Sequence, residues 1–130
     1  MRYDILKLGD NMNYDWLIDQ LSKMKYAAMD YQMDWQATRF TLDGKMFALI
    51  GENKEKKEII SLKTNPDDGQ ILISLYPEIT EGYYLNKRHW ISISLEGNLS
   101  DVLLQDLIFK SYQLVFQSLP KKRQKELDLI

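Results

Sequence analysis

The sequence predicts a domain of the α+β class, built on a single antiparallel sheet of about five strands. The predicted order of elements is α-β-β-β-α-β-β-α. An Asp43-Gly44 pair between two apolar-rich runs is among the strongest short-range signals for a β-hairpin. The strands come in runs joined by hairpins, and the helices do not alternate with them one by one. This grouping favours an antiparallel sheet over parallel βαβ units.

The composition is that of an ordinary globular protein, and we take residues 1–130 as one domain. Lys and Arg number 17 against 19 Asp and Glu, which gives a formal net charge of −2. Cysteine is absent, which excludes disulfides, thiolate nucleophiles and cysteine-ligated metals and fits a reducing cytoplasm. No apolar run approaches the ~18 residues of a membrane span, and the N-terminus shows no signal pattern. We therefore expect a cytoplasmic protein without a membrane partner.

The first predicted helix follows an N-terminal stretch, residues 1–11, in which no element is assigned. Asn13 is a suitable N-cap, and a helical apolar stripe follows it over residues 14–24. The stripe consists of Tyr14, Leu17, Ile18, Leu21 and Met24. Trp16 lies off this stripe, so we expect it to be an exposed aromatic residue. Residues 26–35 are rich in aromatic residues and methionine but show no clear period, and no element is predicted there.

Three strands and a second helix are predicted in the middle of the chain. The hairpin strands cover residues 37–42 and 45–51, and a third strand covers residues 58–63 after a charged loop. The helix begins after Asn65, whose side chain suits an N-cap, with Pro66 at the first helical position. It ends at a Tyr-Pro pair, because proline cannot continue a helix.

The C-terminal part is predicted to add two strands and the main helix of the core. Residues 83–85 are predicted as a short strand, and apolar alternation predicts another strand over residues 89–95. The last long helix covers residues 100–118, with apolar side chains over more than half of its circumference. We expect it to pack across the sheet as the most buried helix. A basic segment, residues 121–127, follows as a turn or short helix.

The segment from Gly82 to Trp90 combines aromatic and cationic side chains within a few residues. It contains the only histidine, His89, together with two tyrosines, one tryptophan and an Asn-Lys-Arg cluster. Cations interleaved with aromatic rings are suited to phosphate contact and base stacking. The alternative is a structural turn in which the aromatic rings pack, Asn86 bonds the turn backbone and the basic residues are solvated.

Several motifs of the chain resemble the MmcQ/YjbR-like family. They are Gly82 to Trp90, Ser111-Tyr112-Gln113-Leu114-Val115, Leu119-Pro120-Lys121-Lys122, Gly44-Lys45-Met46-Phe47-Ala48 and Leu62-Lys63, and the resemblance covers about residues 14–127. It implies a small α+β fold similar to type III secretion chaperones and to frataxin-type proteins, and DNA binding through a paired-wing surface. Members usually have a Pro-Phe-Gly-like segment before the first strand, where this chain has Tyr31-Gln32-Met33-Asp34-Trp35.

The residues give no indication of catalysis, a metal or a cofactor. His89 has no cysteine partner, no serine lies in a Gly-x-Ser-x-Gly motif, and a Gly-rich phosphate loop is absent. A frataxin-like acidic metal surface is the alternative for Asp10, Asp15, Asp19, Asp30 and Asp34. Solvated acids on an amphipathic helix are the simpler interpretation, since an oxygen-only site needs several converging carboxylates. We predict a protein that is not an enzyme and holds no metal or cofactor.

The predicted function is weak, sequence-independent binding of DNA or other nucleic acid through a local basic and aromatic patch. The candidate contact residues are Asn86, Lys87, Arg88, His89, Trp90, Lys121, Lys122 and Arg123. A net charge of −2 requires that such binding come from a local patch. The alternative is a protein–protein interaction module, a monomer or a homodimer, with no nucleic-acid role. A coherent basic face would favour the first function, and an exposed apolar patch the second.

Overall fold

The computed structural model describes residues 13–128, which form a six-stranded antiparallel sheet and four helices. The strands are β1 (Ala27–Gln32), β2 (Ala37–Leu42), β3 (Lys45–Glu52), β4 (Glu58–Lys63), β5 (Ile79–Glu81) and β6 (Trp90–Ser94). The helices are α1 (Asn13–Lys23), α2 (Pro66–Leu75), α3 (Asp101–Ser118) and α4 (Lys121–Asp128). Neighbouring strands follow the order β1-β2-β3-β4-β6-β5. The α+β class and the single antiparallel sheet are thus confirmed, with six strands instead of about five.

The hydrophobic core lies between the helices and one face of the sheet, which we call the helix face. Phe40, Ile60 and Ile93 are fully buried on this face, in the same cluster as Leu17 of α1 and Ile108 of α3. Burial of a large apolar side chain stabilises a fold by roughly 1.5–3 kcal/mol. The opposite face, which we call the open face, takes the alternate residues of the strands.

Helix α3 contributes most to the core among the described helices. Ser100 caps it, because its side-chain oxygen accepts a hydrogen bond from the N–H of Leu103 at 3.1 Å. The buried residues of α3 are Leu104, Leu107, Ile108, Ser111 and Val115. The prediction that this helix packs across the sheet as the most buried helix is confirmed. In the described part of the chain, no helix has the length and apolar composition needed to cross a membrane.

Ser111 connects α3 directly to the backbone of the sheet. Its hydroxyl donates to the carbonyl of Phe47 in β3 at 2.6 Å and accepts from the N–H of Lys63 in β4 at 2.8 Å. The last paired residues of β3 and β4 at this end are Ala48 and Leu62, the direct neighbours of Phe47 and Lys63 in the chain. The serine therefore bridges the two strands where their own ladder stops.

Residues 83–85 form turns, so the strand predicted there is wrong. The strand that pairs with this side of β6 is β5, which lies earlier in the chain. Tyr84 has a φ of 57°, far from extended backbone, and the N–H of Tyr83 donates to Oγ of Ser92 at 2.9 Å. Tyrosine favours strands in general, but this side-chain hydrogen bond replaces the ladder here.

Strand β1 and Trp16 are the other differences from the sequence predictions. β1 is an edge strand on which Met29 and Tyr31 are about half exposed, so it lacks the alternation of a half-buried strand. Trp16 is partly buried against the core and is not the exposed aromatic residue that the pattern predicted. The exposed tryptophan is Trp35. Residues 1–11, for which no element was assigned, lie outside the described residues.

Candidate functional site

The loop between β5 and β6, residues 82–89, is organised by its own polar groups. Oδ1 of Asn86 accepts hydrogen bonds from the N–H of Arg88 at 2.9 Å and from the N–H of His89 at 3.3 Å. The carbonyl of His89 accepts from the N–H of Thr64 at 2.9 Å, which ties the loop to the end of β4. Asparagine is favoured in turns because its side chain can make such bonds. Asn86 therefore acts within the turn.

Lys87 and Trp90 also contribute to the internal structure of this loop. Nζ of Lys87 donates to the carbonyl of Gly82 at 3.1 Å. Gly82 lies so close to Trp90 that an added Cβ would be 2.7 Å from the Trp90 Cβ. The side chains of Arg88 and His89 are exposed and have no hydrogen bond or ion pair within residues 13–128. Arg88 and His89 therefore differ from Asn86 and Lys87, whose side chains are bonded within the loop.

The second predicted cluster, residues 121–123, lies at the start of α4. One of its side chains is paired within the protein, and the other two are exposed. The guanidinium of Arg123 forms ion pairs with Asp43 at 3.0 Å and with Glu126 at 3.2 Å. Its hydrogen bonds to Asp43 hold the pKa of that carboxyl below its usual range. Lys121 and Lys122 are exposed and have no ion pair with another described residue.

Both clusters lie at the same end of the sheet, which we call the basic end. Trp90 at the start of β6 pairs with Lys63 at the end of β4, and the adjacent β2–β3 turn holds the Asp43 that binds Arg123. The cations of this end are Lys25, Lys45, Lys63, Lys87, Arg88, Lys121, Lys122, Arg123 and Lys125. The acidic residues of the basic end are fewer than its cations. They are Asp43, Asp67, Asp68, Glu81, Glu126 and Asp128.

The opposite end of the sheet has the reverse balance of charge. This end contains the β1–β2 turn and the β3–β4 turn. It also contains the residues just before β5 and just after β6. Its acids are Asp34, Glu52, Glu55, Glu58, Glu78 and Glu96, and its cations are Lys54, Lys56 and Lys57. The small net charge of the chain therefore conceals a separation of charge along the strand direction.

The open face of the sheet carries a groove of about 1020 Å³, which no pattern in the sequence predicted. The β1–β2 turn forms one rim, where Trp35 is 54% exposed. Residues 83–85 form the other rim, where Tyr84 is 87% exposed. The strand residues of the floor include Leu49, Gly51, Ile59 and Ser61. Exposed aromatic side chains beside an apolar floor are typical of binding surfaces.

Unusual backbone conformations occur at both rims of this groove. Gln36, next to Trp35, has a φ of 52°, and Tyr84 itself has a φ of 57°. Such values are uncommon for residues other than glycine. The rings of Tyr83 and Tyr84 meet edge to face at 4.6 Å, and burial, with a smaller effect of Tyr84, raises the pKa of Tyr83. In the sequence, one rim is marked by residues 31–35, which depart from the family pattern, and the other by the aromatic residues of the segment from Gly82 to Trp90.

Two of the acidic side chains that were considered for a metal, Asp19 and Asp30, are paired with cations, whereas Asp34 has no ion pair with another described residue and Asp10 lies outside the described residues. Asp19 forms an ion pair with Lys23 at 3.1 Å, and Asp30 forms one with Arg39 at 2.8 Å. The hydrogen bonds from Arg39 lower the pKa of Asp30. Within residues 13–128, no three histidine or acidic side chains converge on a point that could hold a metal ion.

Comparison with known proteins relates the chain to proteins whose names describe them as uncharacterized. A family model described as YjbR matches residues 22–114. Escherichia coli K12 uncharacterized protein YjbR is 33% identical over 99 residues, which cover 76% of this chain and 83% of the relative. Uncharacterized protein YbdF of Escherichia coli O157:H7 is 40% identical over 86 residues, covering 66% and 70% of the two chains.

Solved structures show the same fold. The crystal structure of Deinococcus radiodurans protein DR2400 has a TM-score of 0.79 and 29% sequence identity, covering 88% of this chain and 86% of that one. A crystal structure of a Pseudomonas syringae protein has a TM-score of 0.71 and 26% identity, covering 80% of this chain and 99% of that one. The fold described above is therefore shared by proteins from different bacteria.

Proposed function

Because the chain belongs to the YjbR family, whose matched Escherichia coli relatives are called uncharacterized, we propose a function from the surface of the chain itself. The proposed function is weak, sequence-independent nucleic-acid binding at the basic end of the sheet. The observation that supports it most is the excess of cations at this end of an otherwise acidic molecule. Phosphate neutralisation by such cations supplies most of the affinity in non-specific binding.

The contacts of each candidate residue divide the predicted site into two groups. Arg88, His89, Lys121 and Lys122 are exposed and unpaired within the described chain, so they are the proposed ligand contacts. Asn86, Lys87, Trp90 and Arg123 are the residues that hold the loop and α4 in place. With two or three phosphate contacts, we expect a salt slope of about −2 to −3 and a dissociation constant no lower than micromolar at physiological salt.

A non-catalytic role is part of the proposal. His89 is exposed on a turn, and its ring has no carboxylate partner in the described part of the chain. General acid–base catalysis by histidine normally relies on a second group that orients the ring and on a nearby reacting group.

The test is fluorescence anisotropy with labelled duplex and single-stranded DNA over a salt series starting at about 20 mM. The variant Arg88→Ala with Lys122→Ala should weaken binding to all sequences alike and flatten the salt slope by roughly 2. The control is Lys54→Ala with Lys57→Ala, which removes the same charge from the opposite end and should have a smaller effect. Absence of wild-type binding at about 20 mM salt, or an equal effect of the control, would contradict the proposal.

The alternative function, a protein–protein interaction module, is favoured by a different observation. The groove on the open face places exposed Trp35 and Tyr84 on either side of an apolar floor. Aromatic residues of this kind are enriched in protein interfaces. If nucleic acid does not bind, this groove becomes the leading candidate site.

A further inference from the structure

The β1–β2 turn provides both a projection and one wall of the groove. Trp35 in this turn is 54% exposed, and its neighbour Met33 is 79% exposed. The floor beside them contains Gly51, which has no side chain, and Ile59, which is nearly buried. A turn with two projecting apolar side chains, next to a groove whose floor contains apolar residues, is a self-complementary arrangement, as a two-fold interface requires.

The topology also determines which elements a two-fold axis would bring together. The β1–β2 turn and the β3–β4 turn lie at the same end of the sheet, on neighbouring hairpins. Their centres are two strand spacings apart, roughly 10 Å. In a dimer whose two open faces pack against each other, the two-fold axis can run parallel to the strands and pass midway between these two turns. Such an axis places the β1–β2 turn of each copy over the β3–β4 turn of the other copy.

The charges on these two turns are complementary in this arrangement. Asp34 lies on the β1–β2 turn and Lys56 on the β3–β4 turn, and both line the groove. Neither side chain has an ion pair or hydrogen bond with another residue among residues 13–128. The two-fold operation would bring Asp34 of each copy next to Lys56 of the other, so that the same ion pair forms twice.

We propose that the groove is the docking site for a second copy of this chain, in a symmetric dimer. Trp35 of each copy lies on the floor of the other copy's groove, and Asp34 pairs with Lys56 across the interface on both sides. Burial of two tryptophan rings provides the apolar centre, and the ion pairs select the register. This inference concerns the open face and is independent of nucleic-acid binding at the basic end.

The first experiment is sedimentation velocity of the full chain over protein concentrations from micromolar to submillimolar. The wild-type protein should show a reversible shift from monomer to dimer. Trp35→Ala should weaken dimerisation at least roughly tenfold, since aromatic anchors dominate most interfaces. The control is Phe109→Ala, which removes an aromatic residue of similar exposure from α3 and should leave the association unchanged.

The second experiment tests the register by charge reversal. Asp34→Lys and Lys56→Asp should each weaken the dimer roughly tenfold, because each places like charges opposite one another twice. The double variant should recover most of the wild-type association. A wild-type protein that stays monomeric at every concentration would overturn the proposal, and so would a double variant that is no better than the single ones. Circular dichroism checks that each variant is folded.

Discussion

The guanidinium of Arg123 donates to both carboxylate oxygens of Asp43, with N···O distances of 3.0–3.2 Å. This pair joins α4 to the turn between β2 and β3, across a large separation in sequence. Arg123 was a candidate for contact with nucleic acid, and that role stays a prediction. The observed geometry gives it a structural role, in which it fixes the helix that carries Lys121 and Lys122.

The Asp43–Arg123 pair should make stability depend on pH at the acidic side. The pKa of Asp43 is lowered in the folded state, so its contribution is complete well above pH 4 and is lost as the pH falls through the folded-state value. We expect Asp43→Asn to lower the melting temperature at pH 7 and to have a smaller effect near pH 3. Thermal melts of both proteins across this range provide the measurement. A difference in melting temperature that does not shrink toward low pH would contradict the stabilising role of the Asp43–Arg123 pair.

Replacement of Ser111 by alanine should destabilise the fold by about 1–3 kcal/mol. The change leaves the carbonyl of Phe47 and the N–H of Lys63 without the hydroxyl that they share. Urea unfolding of Ser111→Ala measures the loss. The matched control is Ser118→Ala on the same helix, because that exposed serine bonds only the carbonyl of Val115 within its own helix. Equal effects of the two variants would show that the bridge is unimportant.

Gly82→Ala should also destabilise the protein, by about 1–3 kcal/mol. The new methyl group would lie 2.7 Å from the Trp90 Cβ and 3.0 Å from the Trp90 carbonyl oxygen, where the backbone of β6 cannot yield easily. Gly97→Ala is the comparison, because its contacts are with the side chain of Glu78, which can move at the cost of one long hydrogen bond from the N–H of Asn98 at 3.3 Å, whereas the backbone of β6 cannot. We expect a clearly smaller shift in the urea midpoint for Gly97→Ala. A similar shift for both would rule out a specific role for the Gly82–Trp90 contact.

Lys87 and Arg88 are adjacent in the sequence, but we expect them to affect nucleic-acid binding differently. Arg88 is unpaired in the described chain, whereas Nζ of Lys87 is hydrogen-bonded to Gly82. Arg88→Ala should reduce the salt slope by roughly 1, and Lys87→Ala should reduce it by less. Anisotropy titrations at several salt concentrations separate the two cases. If Lys87→Ala has the larger effect, the assignment of contact residues is wrong.

Local chemistry explains which parts of the fold could be predicted from the sequence. The hairpin was predicted from Asp43-Gly44, and both residues have the positive φ values that such a turn requires. Asn65 caps α2 as expected, with its side chain accepting from the N–H of Asp68 at 2.9 Å. In each case the residues that form the feature are neighbours in the chain, so the pattern alone is sufficient.

The features that could not be predicted depend on residues far apart in the chain. The strand predicted at residues 83–85 was wrong because Ser92 supplies the hydrogen bond that a ladder would otherwise make. The sequence shows that Arg123 is basic, but its partner Asp43 is identified only by the tertiary fold. The groove rim at Trp35 requires the left-handed backbone of Gln36, a residue with no particular turn preference.

The position of α3 after all six strands of the sheet has a consequence for synthesis on the ribosome. The strands from Ala27 to Ser94 are made first, and their helix face is apolar, while α3 extends to Ser118. At typical translation rates, completing α3 after the last strand takes about 1 to 5 s. During this interval the nascent sheet lacks its main covering helix, so slow codons between Ser94 and Ser118 should increase the capture of nascent chains by chaperones.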